Sequence, residues 1–472
     1  MSGSTNDITL SRTAVLPDEI RLERALRAPD LGPRILFFSG GTALRRLSRE
    51  LVRYTHNSIH IITPFDSGGS SAVIRKAFKM PAVGDIRNRL MALADRTVSG
   101  NPEIFRLSNY RFDRKASQQA LRQKLDAMCS GSDPLVTRVP QPVREIACRY
   151  LGFFRDQMPD DFDLRGASVG NLILTGGYFN HDRHIDPALY LFSRLIEARG
   201  TVRPVLNNDL HLVAELEDGT ILRGQHMITG KEVHAIRSPV KRVWLTADLD
   251  SLVPVEAPIS DKMEQLIASA DLICYPMGSF YTSVMANLLP TGVGGAVAEN
   301  RCPKIYIPSL GNDPEALGLG LFESTRRLVQ ALETSAGQVM PASRLLNFVL
   351  LDTANGAYPE PLEIEKFSSL GIQVIDATLV SKKSAPLLEE SLLIKHLLSL
   401  VCKILLVWNG EQRRDHMNEA GNKAPWHLWL IGILAVLLNA IGAFDYAATQ
   451  LQLDFYMSQF TTEQLDYFYG FP

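Results

Sequence analysis

Arg34–Thr63 reads RILFFSGGTALRRLSRELVRYTHNSIHIIT, and the fold turns on this stretch. Residues 34–39 are a short apolar run that stops at Gly40-Gly41-Thr42. Beyond it Leu44, Leu47, Leu51 and Tyr54 recur at helical spacing, while Arg45, Arg46, Arg49 and Arg53 fall largely on the other side. That is the pattern of an amphipathic helix with a solvated basic face. Residues 58–63, SIHIIT, read as a second strand. Strand, glycine-rich turn, helix and strand form a βαβ unit, which implies a parallel sheet and an α/β fold.

Working outward, residues 114–165 hold the helical pieces QQALRQKLDAMC and PVREIACRYLGFFRDQM, joined by a loop SGSDPLVTRVPQP. They predict a helical insertion in the α/β core. GASVGNLILTGGYF, from residue 166, is a glycine-punctuated turn entering an apolar helix. Residues 202–237 read as β-structure, with a hairpin at Glu217-Asp218-Gly219-Thr220. The α/β pattern is expected to resume at VKRVWLT (240–246), ADLICYP (270–276) and CPKIYIP (302–308). Late strands fall at 347–351 and 372–375, followed by a helix around 387–401.

The chain has 472 residues with a formal net charge of -2, and its 49 basic side chains are scattered. This gives no general attraction to nucleic acid and no stripe to bind it. The five cysteines form no C-x-x-C pair and suit a reduced, mostly buried state in the cytoplasm. From Trp426 to Phe444 runs WHLWLIGILAVLLNAIGAF, 19 residues without Asp, Glu, Lys or Arg. At a rise of 1.5 Å each they reach about 28 Å, close to the ~30 Å of a bilayer core. Residues 426–444 are therefore a candidate transmembrane helix after a polar linker at 403–425, with a tail at 445–472. No Lys or Arg follows Lys423, which keeps the large N-terminal part cytoplasmic, anchored at its C-terminus.

Gly40-Gly41-Thr42 closes a strand and opens a helix, where free N–H groups and a close backbone can meet a phosphate; a tight strand–helix turn explains it equally. Asp66 follows the second strand at the carboxyl edge, where ligands bind in parallel sheets, and Gly68, Gly69, Ser70 and Ser71 surround it. A turn aspartate capping its own backbone is the plainer reading. Asp85 precedes the apolar-periodic IRNRLMALAD and is either a helix N-cap or, with Asp66, one of two oxygen ligands for magnesium. A second glycine turn, Met277-Gly278-Ser279, also follows a strand and precedes a helical run. Two such turns favour a nucleotide crevice over one. Arg87, Asn88 and Asn171 are candidate side-chain donors.

In order and spacing, these segments resemble the CofD-related family, which includes 2-phospho-L-lactate transferase and the YvcK-type proteins that bind nucleotide sugars. The resemblance rests on FSGGTALRRLSREL, DSGGSSAVIRKAFKMPAVGDIRNRLMALAD, GASVGNLIL, VRPVLNNDLHLVAELEDGTILRG, KRVWL, ADLICYPMGSFYTSVMANLLP and IYIPSLGNDPEALGL, and spans about residues 34–402. The wording is closest to the CofD-like branch of the GAK systems. Residues 1–33 stand apart as an extension, and the segment from Trp426 resembles the start of a bacterial multi-span membrane protein. The resemblance implies a Rossmann-like core with added helical and β regions, and often a homodimer. It also implies a guanosine or uridine diphosphate-linked small molecule over Gly40, Gly41 and Thr42, with magnesium at Asp66 and Asp85. Asn171, Gly278 and Ser279 match further family positions. Where the family has Gly, Asp and His, this chain has Ala43, Ser67 and Ala167. The activity implied is transfer of a phospho-acid group from a guanosine diphosphate-linked donor to an acceptor hydroxyl. The alternatives are a nucleotide-sugar-binding regulator without turnover, or a scaffold component of a kinase/ATP-grasp gene cluster.

Overall fold

A computed structural model describes residues 15–95, 100–230 and 235–401. The strands, in chain order, are β1 (Ile35–Ser39), β2 (Ile59–Ile62), β3 (Thr201–Pro204), β4 (His211–Leu216), β5 (Ile221–Arg223), β6 (Val240–Thr246), β7 (Leu272–Tyr275), β8 (Lys304–Tyr306), β9 (Phe348–Leu351) and β10 (Gln373–Asp376). Seven of them make one sheet in the order β10-β9-β8-β7-β1-β2-β3. Every pairing in it is parallel. All residues of β1 and β2 are buried, as the uninterrupted apolar runs require of strands covered on both faces. Phe37 stacks on His60 across this pair, with ring centroids 5.2 Å apart. The strand order reverses between β1 and β7. A crevice opens at the carboxyl end of such a switch point, so the turns after β1, β2 and β7 face it.

Two strands fall elsewhere than their local sequence suggests. VKRVWLT does not resume the parallel core: β6 pairs antiparallel with β4 in a three-stranded sheet ordered β5-β4-β6. The reason is charge. Lys241 and Arg242 are exposed on β6 and both pair with Glu215 of β4, at 2.8 and 2.6 Å, which a strand covered on both faces could not accommodate. Conversely, β3 leaves the predicted hairpin region and forms the parallel edge beside β2. The β4–β5 hairpin itself closes at the predicted turn, where Gly219 has φ +85° and Thr220 N–H donates to Asp218 Oδ1 at 2.9 Å.

The helical region between residues 114 and 165 holds helices Gln118–Cys129 and Val143–Gln157, packed with Val169–Asn180. Close approach there depends on Gly176, whose Cα lies against the Tyr150 carbonyl where a Cβ would collide. The stretch expected to be only a loop contains a helical turn, Pro134–Thr137, because Asp133 caps it and Pro134 starts it. Within the first 33 residues, Glu19–Arg27 is a helix that buries Leu22 with Leu393, Ile394 and Leu397 of the helix Glu390–Leu400. Cys129, Cys148, Cys274 and Cys302 are free, but of these only Cys274 is fully buried. Among the described residues no helix is long and apolar enough to cross a membrane. The linker 403–425, the span 426–444 and the tail 445–472 lie outside the described residues.

Candidate functional site

Three helices begin at the crevice: Gly69–Phe78 after β2, Gly84–Leu93, and Val169–Asn180. None has a side-chain cap on its first N–H groups. Asp18, Asn101, Ser117 and Ser260 cap other helices, while the helices Val143–Gln157, Ile185–Leu195 and Leu321–Ala336 also start without a side-chain cap. The three starts touch one another. Asn171 Nδ2 donates to Ser70 Oγ at 3.3 Å. Ser71 Oγ packs on the Cα of Gly84, a contact that any Cβ would displace. Gly170 lies against the Arg87 side chain. The Val169 and Asn171 N–H groups already donate, to the Tyr110 carbonyl at 3.0 Å and the Ser168 carbonyl at 2.9 Å, so the starts at Gly69 and Gly84 supply the open donors of a site for an anion.

Charge inside this place is positive. Arg87 is 4 % exposed, and its Nη2 donates to Asn88 Oδ1 at 2.7 Å. Its Nε is buried without an acceptor, as is Oδ1 of Asn171 without a donor. Burial, with Arg111 and Arg45 nearby, lowers the Arg87 pKa to about 10, and Asp85 opposes that fall. A guanidinium that burial cannot neutralise calls for an anionic partner.

The two aspartates differ. Asp66 Oδ1 accepts the Gly68 N–H at 3.1 Å, the local turn bond expected of it. Its Oδ2 lies 3.7 Å from where a Cβ on Gly84 would stand, and the side chain is half-buried. Asp85 is not an N-cap but lies in the first turn of the Gly84 helix, whose N-cap is Val83. Its carboxylate packs on the Cα of Gly41 and acts electrostatically on both Arg87 and Arg89. Glycine at position 41 is what lets the loop and the carboxylate meet. Among the described residues no three His, Cys, Asp or Glu side chains gather to cage a metal. A magnesium ion carried on a diphosphate needs only one or two carboxylates, and Asp66 and Asp85 are the acids that could supply them.

The Gly278 turn meets the first loop, since a Cβ on Gly278 would stand 3.6 Å from Ala43 Cβ. Its own donors are already engaged. Gly278 N–H donates to Ser309 Oγ at 2.9 Å and Phe280 N–H to Asp313 Oδ2 at 2.6 Å. Tyr281 and Thr282 N–H both donate to Glu315 Oε2, at 3.1 and 2.9 Å, and Thr282 Oγ1 donates to Oε1 at 2.6 Å. Glu315 is 1 % exposed, and burial with the adjoining Asp313 raises its pKa to about 7. The Ser279 hydroxyl is drawn to the same carboxylate. The following turn, Phe280–Met285, is a π-helix, a form frequent at functional sites.

Four residues were not evident from sequence: Arg89, His226, Asp313 and Glu315. Arg89 is fully buried and donates from Nη2 to the Gly40 carbonyl at 2.8 Å, holding the first loop. Ser67 bonds His226: Oγ lies 2.8 Å from Nδ1 and accepts the His226 N–H at 3.1 Å. The exposed Thr42 accepts the Arg45 N–H at its carbonyl, at 3.0 Å, so the Gly40 turn also starts the next helix.

A doubly wound parallel sheet with a glycine-lined, cation-walled crevice at its switch point defines an α/β protein of Rossmann-like class. Residues 35–380 match the family model described as 2-phospho-L-lactate transferase CofD, and the chain belongs to that family. It is 28% identical over 365 residues to a gluconeogenesis factor of Bacillus subtilis, covering 75% of this chain and 92% of that protein. A putative gluconeogenesis factor of Thermoanaerobacterium thermosulfurigenes is 26% identical over 348 residues, 73% of this chain and 89% of the other. The fold resembles the crystal structure of a UPF0052 family member from Bacillus halodurans, with a TM-score of 0.56 and 23% identity, covering 78% of this chain and 99% of that one.

Proposed function

We propose that the crevice binds a small molecule linked to a nucleoside diphosphate and holds it as a regulatory ligand, without turning it over. The observation that carries this reading is the meeting of three uncapped helix starts beside the buried, unpaired Arg87 Nε. The diphosphate would lie over Gly40–Thr42 and Gly68–Ser71, with Arg87, Asn88 and Asn171 along its flank. Gly278 and Ser279 shape the opposite wall. The gluconeogenesis-factor relatives, whose names describe no transfer, support this reading, whereas the family model's description as a transferase supports the second one below. Ser67 also supports the regulatory reading: its hydroxyl bonds His226 where the resemblance implies a second carboxylate.

Transfer is the second reading, and Asp66 favours it: Oδ2 has no hydrogen-bond partner among the described residues and lies toward the Gly84 helix start. In that reading an acceptor hydroxyl attacks the phosphorus bearing the phospho-acid group. The new O–P bond forms, the bond to the nucleotide breaks, GMP leaves, and Asp66 takes the hydroxyl proton. Asp66 and Asp85 would hold magnesium in either case, and the ion would neutralise diphosphate charge.

Calorimetric titration of the full chain with GDP and with a UDP-sugar, with and without magnesium, tests both. The regulatory reading expects the UDP-sugar to bind and to be recovered intact. Release of GMP from a guanosine diphosphate-linked donor would replace it with the transfer reading. Failure to bind any of these nucleotides would overturn both and leave the scaffold role.

A further inference from the structure

The outer edge of the parallel sheet holds a second cavity, of about 100 Å³, where the chain leaves β3 and meets the start of the helix Asp261–Ala268. Leu206, Met263 and Leu266 give it apolar walls. Its polar groups are Arg203, Asn207, Asn208, Ser260, Lys262 and Asp186.

The charges lining it do not balance. Asp186 is the one acid in the wall and is divided between two cations, Lys262 Nζ at 3.3 Å and Arg203 Nε at 3.7 Å. The second distance is too long for a hydrogen bond, and Arg203 Nε is buried with no acceptor. Nη1 of Arg203 donates to the Val202 carbonyl at 2.8 Å. Its side chain is 14% exposed, and burial lowers its pKa, yet a guanidinium stays charged. Asp261 and Glu264, in the first helical turn, are not part of the cavity wall.

We propose that this cavity is a second binding site, for a small phosphomonoester on a hydroxylated skeleton. Phosphate oxygens pair with the Arg203 guanidinium and with Lys262 Nζ. The amides of Asn207 and Asn208 meet hydroxyls, and the carbon skeleton lies on Leu206 and Met263. Asp186 holds the two cations in place and competes with the ligand for them.

That competition separates the site from a merely structural ion cluster. Inorganic phosphate is titrated calorimetrically into the full chain carrying Arg87→Gln, which weakens the crevice. Adding Lys262→Ala is expected to weaken the remaining phosphate binding by up to about fivefold, the scale of one partly exposed charge pair. Adding Asp186→Asn is expected to tighten it by a similar factor, because both cations are released. A structural cluster would instead lose thermal stability on Asp186→Asn and show no gain in affinity, and that result would overturn the proposal. In the unaltered chain, labelled methionine methyls report directly. The Met263 signal, identified by Met263→Leu, is expected to shift with added phosphate, and a signal that stays put would equally overturn it.

Discussion

The two glycine turns that face the crevice look alike in sequence and behave in opposite ways. Each follows a buried parallel strand and precedes a helical run. On the side of β1 and β2, three helix starts are left without a side-chain cap, and Arg87 adds an unpaired donor. On the side of β7, the first N–H groups are already taken by Asp313 and Glu315. The first half is prepared for a negative charge from outside; the second has brought its own. A strand–glycine–helix pattern therefore identifies a place where an anion can bind, and the rest of the chain decides whose anion it is.

The contrast can be broken most forcefully through Glu315→Ala. Two buried N–H groups and a hydroxyl lose their acceptor, at about 1–3 kcal/mol for each donor left unsatisfied. Urea denaturation is expected to show a loss of about 3 kcal/mol, whereas the folded fraction keeps its nucleotide affinity. A large loss of affinity with stability unchanged would place the β7 turn among the ligand's direct contacts instead. On the opposite side Arg87→Gln removes a charge-assisted donor worth about 1.5–3 kcal/mol, so the nucleotide dissociation constant is expected to rise at least about tenfold by calorimetry. An unchanged constant would remove the basis for the crevice reading.

A smaller effect is readable with pH. Glu315 has a folded pKa of about 7, above its ordinary 4.5. Its contribution to stability is thus fully present below about 4.5 and is lost as pH rises through about 7. Thermal melts of the unaltered chain should fall by a few degrees between pH 5 and 8, and Glu315→Gln should flatten that part of the profile. Smallest of all is Asp66→Asn. It keeps the bond from the Gly68 N–H and removes one charge, so nucleotide binding should persist while its response to magnesium disappears. A response that survives intact would move the ion away from Asp66.

Legibility in sequence followed the range of the interactions involved. The βαβ unit at Arg34–Thr63 was readable because parallel strands are apolar throughout and the intervening helix is amphipathic. VKRVWLT misled because period and β-propensity do not say which sheet a strand joins; the pairing of Lys241 and Arg242 with Glu215 decided that. In the site, the structure brings Gly41 to Asp85, Ser70 to Asn171 and Ser71 to Gly84, contacts between segments far apart along the chain. Glu315 could not be found from the sequence. It stands 33 residues from Thr282, in no local pattern that marks it as a cap.

By itself the sequence determined the parallel sheet, its glycine turns and the cluster of small polar residues after β2, because backbone geometry and burial act within a few residues. Only the tertiary structure decided which helix starts stay open and which are filled. That outcome depends on charges such as Arg87, Asp313 and Glu315 meeting partners far along the chain, and a buried charge is stable only where such a partner, internal or bound, is supplied.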